Sequence, residues 1–364
     1  MRNGAVWDGS TDLRTRSLLS ELGPSQSLRH RCLILPVIGS REPRSYNSSA
    51  GSQGGLPHGA GRLRHLVTKL EDLVMTGQVN SFAMPFSNVA HLDLEGKLLA
   101  TLVAGYNDLS QMPIELERMA AAGISPGEVR RRAADQGITI GRLDPLNTWP
   151  RIWLPDNMDD EYIATVDTPA DRFFPLAESV GARYMSLNAT FPLGSMSIDE
   201  VTEHYARICK RADDHGLICD LEPIPLWGVP TLEMAWRIVK NSGARNGGLV
   251  IDTWHMVRGR SDISLLNDIP GHMIHSVQLN DGPLDLPPGV TVKDNCYDRK
   301  FPGDGEFPNV ELVQILARTN GLNQLCPEVF SPRLTDMSAE EVGIRTRDSI
   351  RGVLELAGLH WQQA

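Results

Sequence analysis

Eight short apolar runs alternate with amphipathic stretches over about 280 residues, which is the length one closed barrel needs. Four of those runs end in side chains that offer oxygen or imidazole. Together these observations predict an α/β chain folded as a (β/α)8 TIM barrel with a disordered N-terminal extension. The four runs are Leu217-Ile-Cys-Asp-Leu-Glu222, Leu249-Val-Ile-Asp252 with His255 just beyond it, Ile274-His-Ser-Val-Gln278, and Asn323-Gln-Leu-Cys-Pro-Glu328. A strand buried on both faces reads as a continuous apolar run, and barrel strands present their functional residues at their C-terminal ends. A doubly wound open sheet would show the same alternation. However, no GxGxxG follows the first strand, and four consecutive strands all supply candidate ligands.

The alternation begins near Asn80. Ser81-Phe-Ala-Met-Pro-Phe86 reads as the first strand and Asp93 to Ala104 as the first helix, with Tyr106 to Met112 a short second strand. A helical segment from Pro113 to Met119 follows. In Ser125-Pro-Gly-Glu128, Ser can cap, Pro suits the first turn and Glu has capping-box spacing, which opens a helix to Gln136. Ile138 to Leu143 is the third strand, Pro145 to Pro155 a Pro/Trp-rich loop, and Asp167-Thr-Pro169 starts a helix to Val180. Ala182 to Leu187 is strand four, and Ser197-Ile-Asp-Glu200 repeats the capping signature ahead of a helix to His215. Strands five to eight are the four runs already named. Helices at Thr231 to Lys240, Asn309 to Thr319 and Ser338 to Ala357, with a long Pro/Gly-rich loop from Gly282 to Pro308, complete the ring.

Two domains are expected: a basic, disordered extension over 1–75 and the barrel over 76–364. Residues 1–70 hold nine Arg, one Lys and four acids, a net of +6, so the remainder carries −16 of the overall −10. Gly39 to Gly61 is rich in Ser, Gly, Pro and Arg without helical or strand periodicity, and Cys32-Leu-Ile-Leu has no evident strand partner. An organelle transit peptide, or translation starting at Met75, would explain such a segment equally; on each account it is dispensable. The acidic balance argues against nucleic acid as partner. No apolar run approaches the roughly 20 residues of a membrane span. Five cysteines, an odd number with no CxxC pair, fit the reducing cytoplasm, and Cys219 and Cys326 read as buried thiols.

Glu222, Asp252, Gln278 and Glu328 would supply three carboxylates and one amide oxygen to a hard divalent ion such as Mn²⁺ or Mg²⁺, with Co²⁺ or Zn²⁺ as further candidates. Glu222 and Glu328, on strands five and eight, would face each other across the mouth. This arrangement suits abstracting a proton beside a carbonyl and returning it. Trp149, Trp153 and Trp227 either wall the mouth or fill the core. With Phe86 and Phe301 they would favour a ring-bearing substrate. Strict alternation puts Ile274, Ser276 and Gln278 on one face and His275 on the helix-packing side. Asn188 and Asn280 fit substrate contacts or turns equally, and Asp281 starts a loop or holds a neighbouring group. Each strand-end acid, taken singly, is more commonly a cap or surface carboxylate.

These motifs, in this order, resemble the xylose isomerase-like TIM-barrel superfamily of sugar phosphate isomerases and epimerases. The matching residues are Glu222 in Leu-Glu-Pro-Ile-Pro, Asp252-Thr-Trp-His255, Gln278 in Val-Gln-Leu-Asn-Asp, Arg299-Lys-Phe-Pro-Gly-Asp-Gly305 and Glu328. The resemblance covers about residues 78–358. It implies that Glu222, Asp252, Gln278 and Glu328 bind the metal and that Glu222 and Glu328 act as acid and base. It further implies that His255 and Arg299 contact substrate oxygens, and that the chain forms a homodimer. Gln278 departs from the His of ketose 3-epimerases and matches hydroxypyruvate isomerase-like and some dehydroshikimate dehydratase-like members.

The expected function is therefore a metal-dependent isomerase or epimerase of a small polyhydroxylated sugar, sugar acid or cyclitol, working through an enediolate-like intermediate. The same base would serve a lyase, either dehydroshikimate dehydratase-like or C-glycoside-cleaving. A related apurinic endonuclease would need further His and Asp ligands and a basic groove, which the acidic barrel region lacks. A partner subunit active only in a complex is the remaining alternative.

Overall fold

The computed structural model describes residues 78–150 and 160–360. The extension over 1–75, the run at Cys32 and Trp153 lie outside the described residues. Eight strands pair in sequence order, every neighbouring pair parallel: β1 (Ala83–Met84), β2 (Asp108–Gln111), β3 (Thr139–Leu146), β4 (Tyr184–Asn188), β5 (Ile218–Glu222), β6 (Gly247–Asp252), β7 (Ile274–Leu279) and β8 (Leu325–Pro327). A parallel bridge between Phe82 and Leu325 joins the last strand to the first, closing the predicted barrel. Among the described residues no helix is long and apolar enough to cross a membrane.

Capping defines most of the predicted helix starts. Asp93 accepts from Gly96 N, Ser125 from Glu128 N, and Ser197 forms a reciprocal box with Glu200. Strand one is shorter than expected, because Pro85 has no N–H for the ladder and the chain turns at once into a short helix, Phe86–Val89. Strand three is longer, reaching Leu146, which brings Asp144 onto the barrel.

Alternation along the strands separates two environments. Met185 and Leu187, Cys219 and Leu221, Leu249 and Ile251, and Val277 and Leu279 belong to the apolar layer shared with the helices. The alternate positions form a polar interior. Register sets Ser186 beside Asp220 and Asn188 beside Glu222 on β4 and β5, and Asp252 beside Gln278 on β6 and β7.

His275 departs from its expected place. Between Leu249–Ile274 and Val250–Ser276 the register slips by one residue, so β7 is bulged at His275. The ring turns into the barrel, where Nδ1 lies 2.5 Å from Asp220 Oδ1. Arg142 donates to the other oxygen of Asp220 at 2.6 Å and to Ser186 at 3.1 Å. This buried group needs empty space on the neighbouring strand. A Cβ at Gly248 would come within 2.3 Å of His275 Nδ1 and 2.7 Å of Asp220 Oδ1. Gly248→Ala is therefore expected to destabilise the fold by about 1–3 kcal/mol through overpacking. Gly352→Ala, in the open middle of a helix, should be neutral or stabilising by about 0.5–1 kcal/mol. Urea denaturation midpoints of the two variants check the contrast.

Candidate metal centre and cavity

The strand ends converge on one cavity of about 460 Å³ at the C-terminal mouth. Glu222 ends β5 and Asp252 ends β6, where the latter also caps the short helix Thr253–Arg258 by accepting His255 N–H at 3.0 Å. That cap places the His255 ring beside the acids, with Nε2 3.2 Å from Glu222 Oε1. Ligand atoms of Glu222, Asp252 and His255 all lie within 4.8 Å of one another. Glu328, just beyond β8, accepts from Gln278 Nε2 at 3.1 Å.

Arg299 ties the group together. Its Nη1 donates to Asp252 at 2.9 Å and to Glu328 at 3.3 Å, while Asn280 donates to the same Asp252 oxygen at 3.0 Å. The guanidinium lies 5.1 Å from the Trp254 ring centroid and 4.8 Å from that of Phe330, so it is stacked as well as paired. Its loop is anchored by Asp281, whose carboxylate accepts from Gly282, Gly303 and Phe307 N–H, each at 2.9 Å.

The electrostatics follow from crowding. Burial alone would raise the Asp252 carboxyl, but Arg299, His255 and the hydrogen bonds outweigh it and hold the group below its ordinary value. Burial raises Glu328 well above the usual range, more than Arg299 can offset, with Asp252, Glu222 and Asp144 adding to the rise. Arg299 is itself raised, because Asp252, Cys296 and Glu328 overcome the burial that opposes its charge. Asp144 is a fourth carboxyl at the mouth, one the sequence reading missed. Burial first, then the charge of Glu222, pushes it up to about 7.

The donor set fits a divalent cation. Its carboxylates are hard oxygen donors, and Gln278 Oε1 is buried without a hydrogen-bond partner beside them. Sequence reasoning set His255 apart as a substrate contact, whereas the fold brings it among the ligand atoms. Glu222, Glu328, His255, Arg299, Trp227 and Asn188 all line the cavity; Asp252 and Gln278 lie next to them through the bonds just given. Asn280 is turned to Asp252 instead. Of the two places open to Trp149 it takes the core, packing edge-on against Tyr205 with 5.9 Å between centroids; Phe301 departs from its expected place at the mouth and lies outside the cavity beneath Arg345. Phe86 and Trp227 do line it, joined by Tyr162, Ile224 and Phe330, which no strand-end pattern points to.

The model of the xylose isomerase-like TIM barrel matches residues 104–351. The chain belongs to that family. A 3-dehydroshikimate dehydratase of Pseudomonas putida KT2440 is 26% identical over 241 residues, covering 60% of this chain and 36% of that protein. The chain thus spans about a third of the length of the dehydratases it matches. An inosose isomerase of Bacillus subtilis 168 is 29% identical over 147 residues, 40% of this chain and 50% of that protein. Among solved structures, the IOLI protein with a bound zinc atom superposes with a TM-score of 0.63 at 19% identity, covering 76% of this chain and 98% of that one. An L-ribulose 3-epimerase does so at 0.56 and 17%, covering 76% and 95%. Both share the fold.

A group whose folded pKa is raised stabilises the fold below its unfolded value and loses that contribution as pH rises through the folded value. For Asp144 the contribution is complete below 3.8 and is lost as pH climbs to about 7. Metal-free protein should therefore weaken over this range, and Asp144→Asn should flatten the slope. Urea midpoints of both proteins between roughly pH 5 and 8 measure it. An unchanged slope in the variant would refute the assignment to Asp144.

Proposed function

We propose that the protein is a divalent-metal-dependent isomerase or epimerase of a small cyclic or open-chain polyhydroxylated carbonyl compound. It moves a proton beside the carbonyl through an enediolate-like intermediate. The observation that carries this reading is the pair Glu222 and Glu328, both buried, both lining one cavity and carried by the ends of strands three apart in the ring. Glu222, Asp252, Gln278 and Glu328 would hold the ion, Mn²⁺ or Mg²⁺ by preference for oxygen donors. The bound metal supplies Lewis acidity that polarises the carbonyl oxygen.

The chain's own residues do the rest. One glutamate takes the proton at carbon and the other returns it. His255 Nδ1, buried and without a partner, is free to bond a substrate hydroxyl. Arg299 holds Asp252 and Glu328 at fixed positions through Nη1, while its Nε and Nη2 donate to Cys296 and keep the group in place beside the cavity. Trp227, Tyr162, Ile224 and Phe330 keep water from the reacting carbon. The four described cysteines are free thiols, which supports a reducing cytoplasmic setting. A homodimer is part of the same reading.

A second reading is favoured by Gln278 and by the dehydratase relatives, which match 60% of this chain. The same base would generate the same carbanion; the β C–O bond then breaks as the other glutamate gives a proton to the leaving oxygen, releasing water and making the protein a lyase.

The test is metal content and Mn²⁺-dependent thermal shift of the full chain and of Glu328→Gln, followed by proton exchange in D₂O on inosose and 3-dehydroshikimate. Wild type should bind a single ion and gain about 2–3 kcal/mol at a hundredfold excess over Kd, with Glu328→Gln binding more weakly. Glu222→Gln should slow exchange by about 10²–10⁴. Deuterium retained in an isomer supports the isomerase; loss of water from the substrate supports the lyase. A folded wild type that neither binds nor responds to Mn²⁺ would overturn both.

A further inference from the structure

The charges around the cavity divide by depth. At the inner end, four carboxyls, Asp144, Glu222, Asp252 and Glu328, meet the guanidinium of Arg299. The outer wall carries Glu115, Arg118 and Lys293. Glu115 is already matched, lying 2.5 Å from the buried Lys97. Arg118, on the helix Pro113–Ala121 that follows β2, and Lys293, on the short helix Val292–Cys296 in the loop after β7, have no ion pair or side-chain hydrogen bond among the described residues. They project into the same cavity from segments far apart in sequence. The surrounding barrel region is strongly acidic, with a net of −16 after residue 70. Lys293 has Asp294 beside it but no bonded acid among the described residues, so two cations without a bonded partner stand at the outer end of a cavity in an otherwise acidic body.

We propose that Arg118 and Lys293 form an anion subsite at the outer end of the cavity, and that the substrate is a polyol or cyclitol derivative bearing a carboxylate or phosphate at the end remote from its reacting carbonyl. This rests on the cavity being the substrate site of the proposed reaction. A guanidinium gives the anion a planar, two-pronged donor edge, and the ammonium adds a mobile point charge from the opposite wall. The pair also draws an anionic ligand toward a mouth that the rest of the barrel would repel. Trp227 and Tyr162 then cover the ring between the two polar ends.

Isothermal titration of the Mn²⁺-loaded full chain with quinate, myo-inositol 1-phosphate and myo-inositol tests the subsite. Both charged probes should bind at least about tenfold tighter than the neutral one, and the tighter of the two tells carboxylate from phosphate. Arg118→Gln and Lys293→Gln should each erase about tenfold of that preference, leave myo-inositol binding and metal content unchanged, and be rescued by Arg118→Lys and Lys293→Arg. Equal affinity of wild type for all three probes, undetectable binding of either anion, or variants that weaken the neutral probe equally would overturn the subsite. Metal content is read on the same samples. A wild type without metal that still prefers anions would sink the proposed reaction and leave the subsite standing. A metal-loaded wild type without the preference would do the reverse.

Discussion

Four carboxyl groups, Asp144, Glu222, Asp252 and Glu328, share the mouth of this barrel, and within it a single buried guanidinium answers them. In a low-dielectric interior such crowding is strongly unfavourable unless charge is matched or removed. Arg299 matches two of the acids directly. Lysine could not replace it, because only a flat guanidinium can stack between Trp254 and Phe330 while Nη1 reaches Asp252 and Glu328 and Nε and Nη2 donate to Cys296. The remaining acidity is relieved by protonation, seen in the upward displacement of Asp144 and Glu328, or by a cation. A site built this way suits a divalent ion, because its own charge is left incomplete.

The same logic runs down the barrel axis. Beneath the mouth, Arg142, Ser186, Asp220 and His275 form a second polar layer in which each charged group has a partner. Burying such a group contributes little net stability, but removing one member leaves a charge stranded in the interior. Gly248 is part of the arrangement through the space it leaves vacant. In the floor every charged group has a counter-charge, while at the mouth Gln278 Oε1, Asn188 Oδ1 and His255 Nδ1 are buried without a hydrogen-bond partner.

How much of this was legible in the sequence depends on which interactions are local. Glu222, Asp252, Gln278 and Glu328 stood out because an apolar run followed by a polar side chain is a local pattern, and strand direction then assigns them to one mouth. Asp144 is missed because ending strand three at Leu143 stops one residue short of it and three short of the strand's end at Leu146, although Arg142 and Asp144 share the inward period. His275 was misplaced for a different reason. A bulge is set by the register of the neighbouring strand, which one strand's own residues do not encode. The aromatic residues divide likewise: nothing near Trp149 or Phe301 in the chain says which side of a wall they face, whereas Trp227 follows a strand end closely enough to stay at the mouth. The extension, legible only as composition, is beyond what the fold describes.

Isomerisation and dehydration begin with the same proton leaving the same kind of carbon, so the residues that take that proton cannot by themselves distinguish the two. What differs is whether a leaving group is held in line at the neighbouring carbon, and that depends on how the substrate is oriented along the cavity. Orientation is set at the far end, by groups on the segments that connect strands to helices. In this chain that end is formed by the helix after β2, the long loop after β7 and Tyr162 on the short helix Asp160–Val166. On the proposed reading, the barrel strands supply the carboxylates for carbanion chemistry. The outer wall would then select between its two outcomes, by fixing which carbon of the substrate meets Glu222 and which meets Glu328.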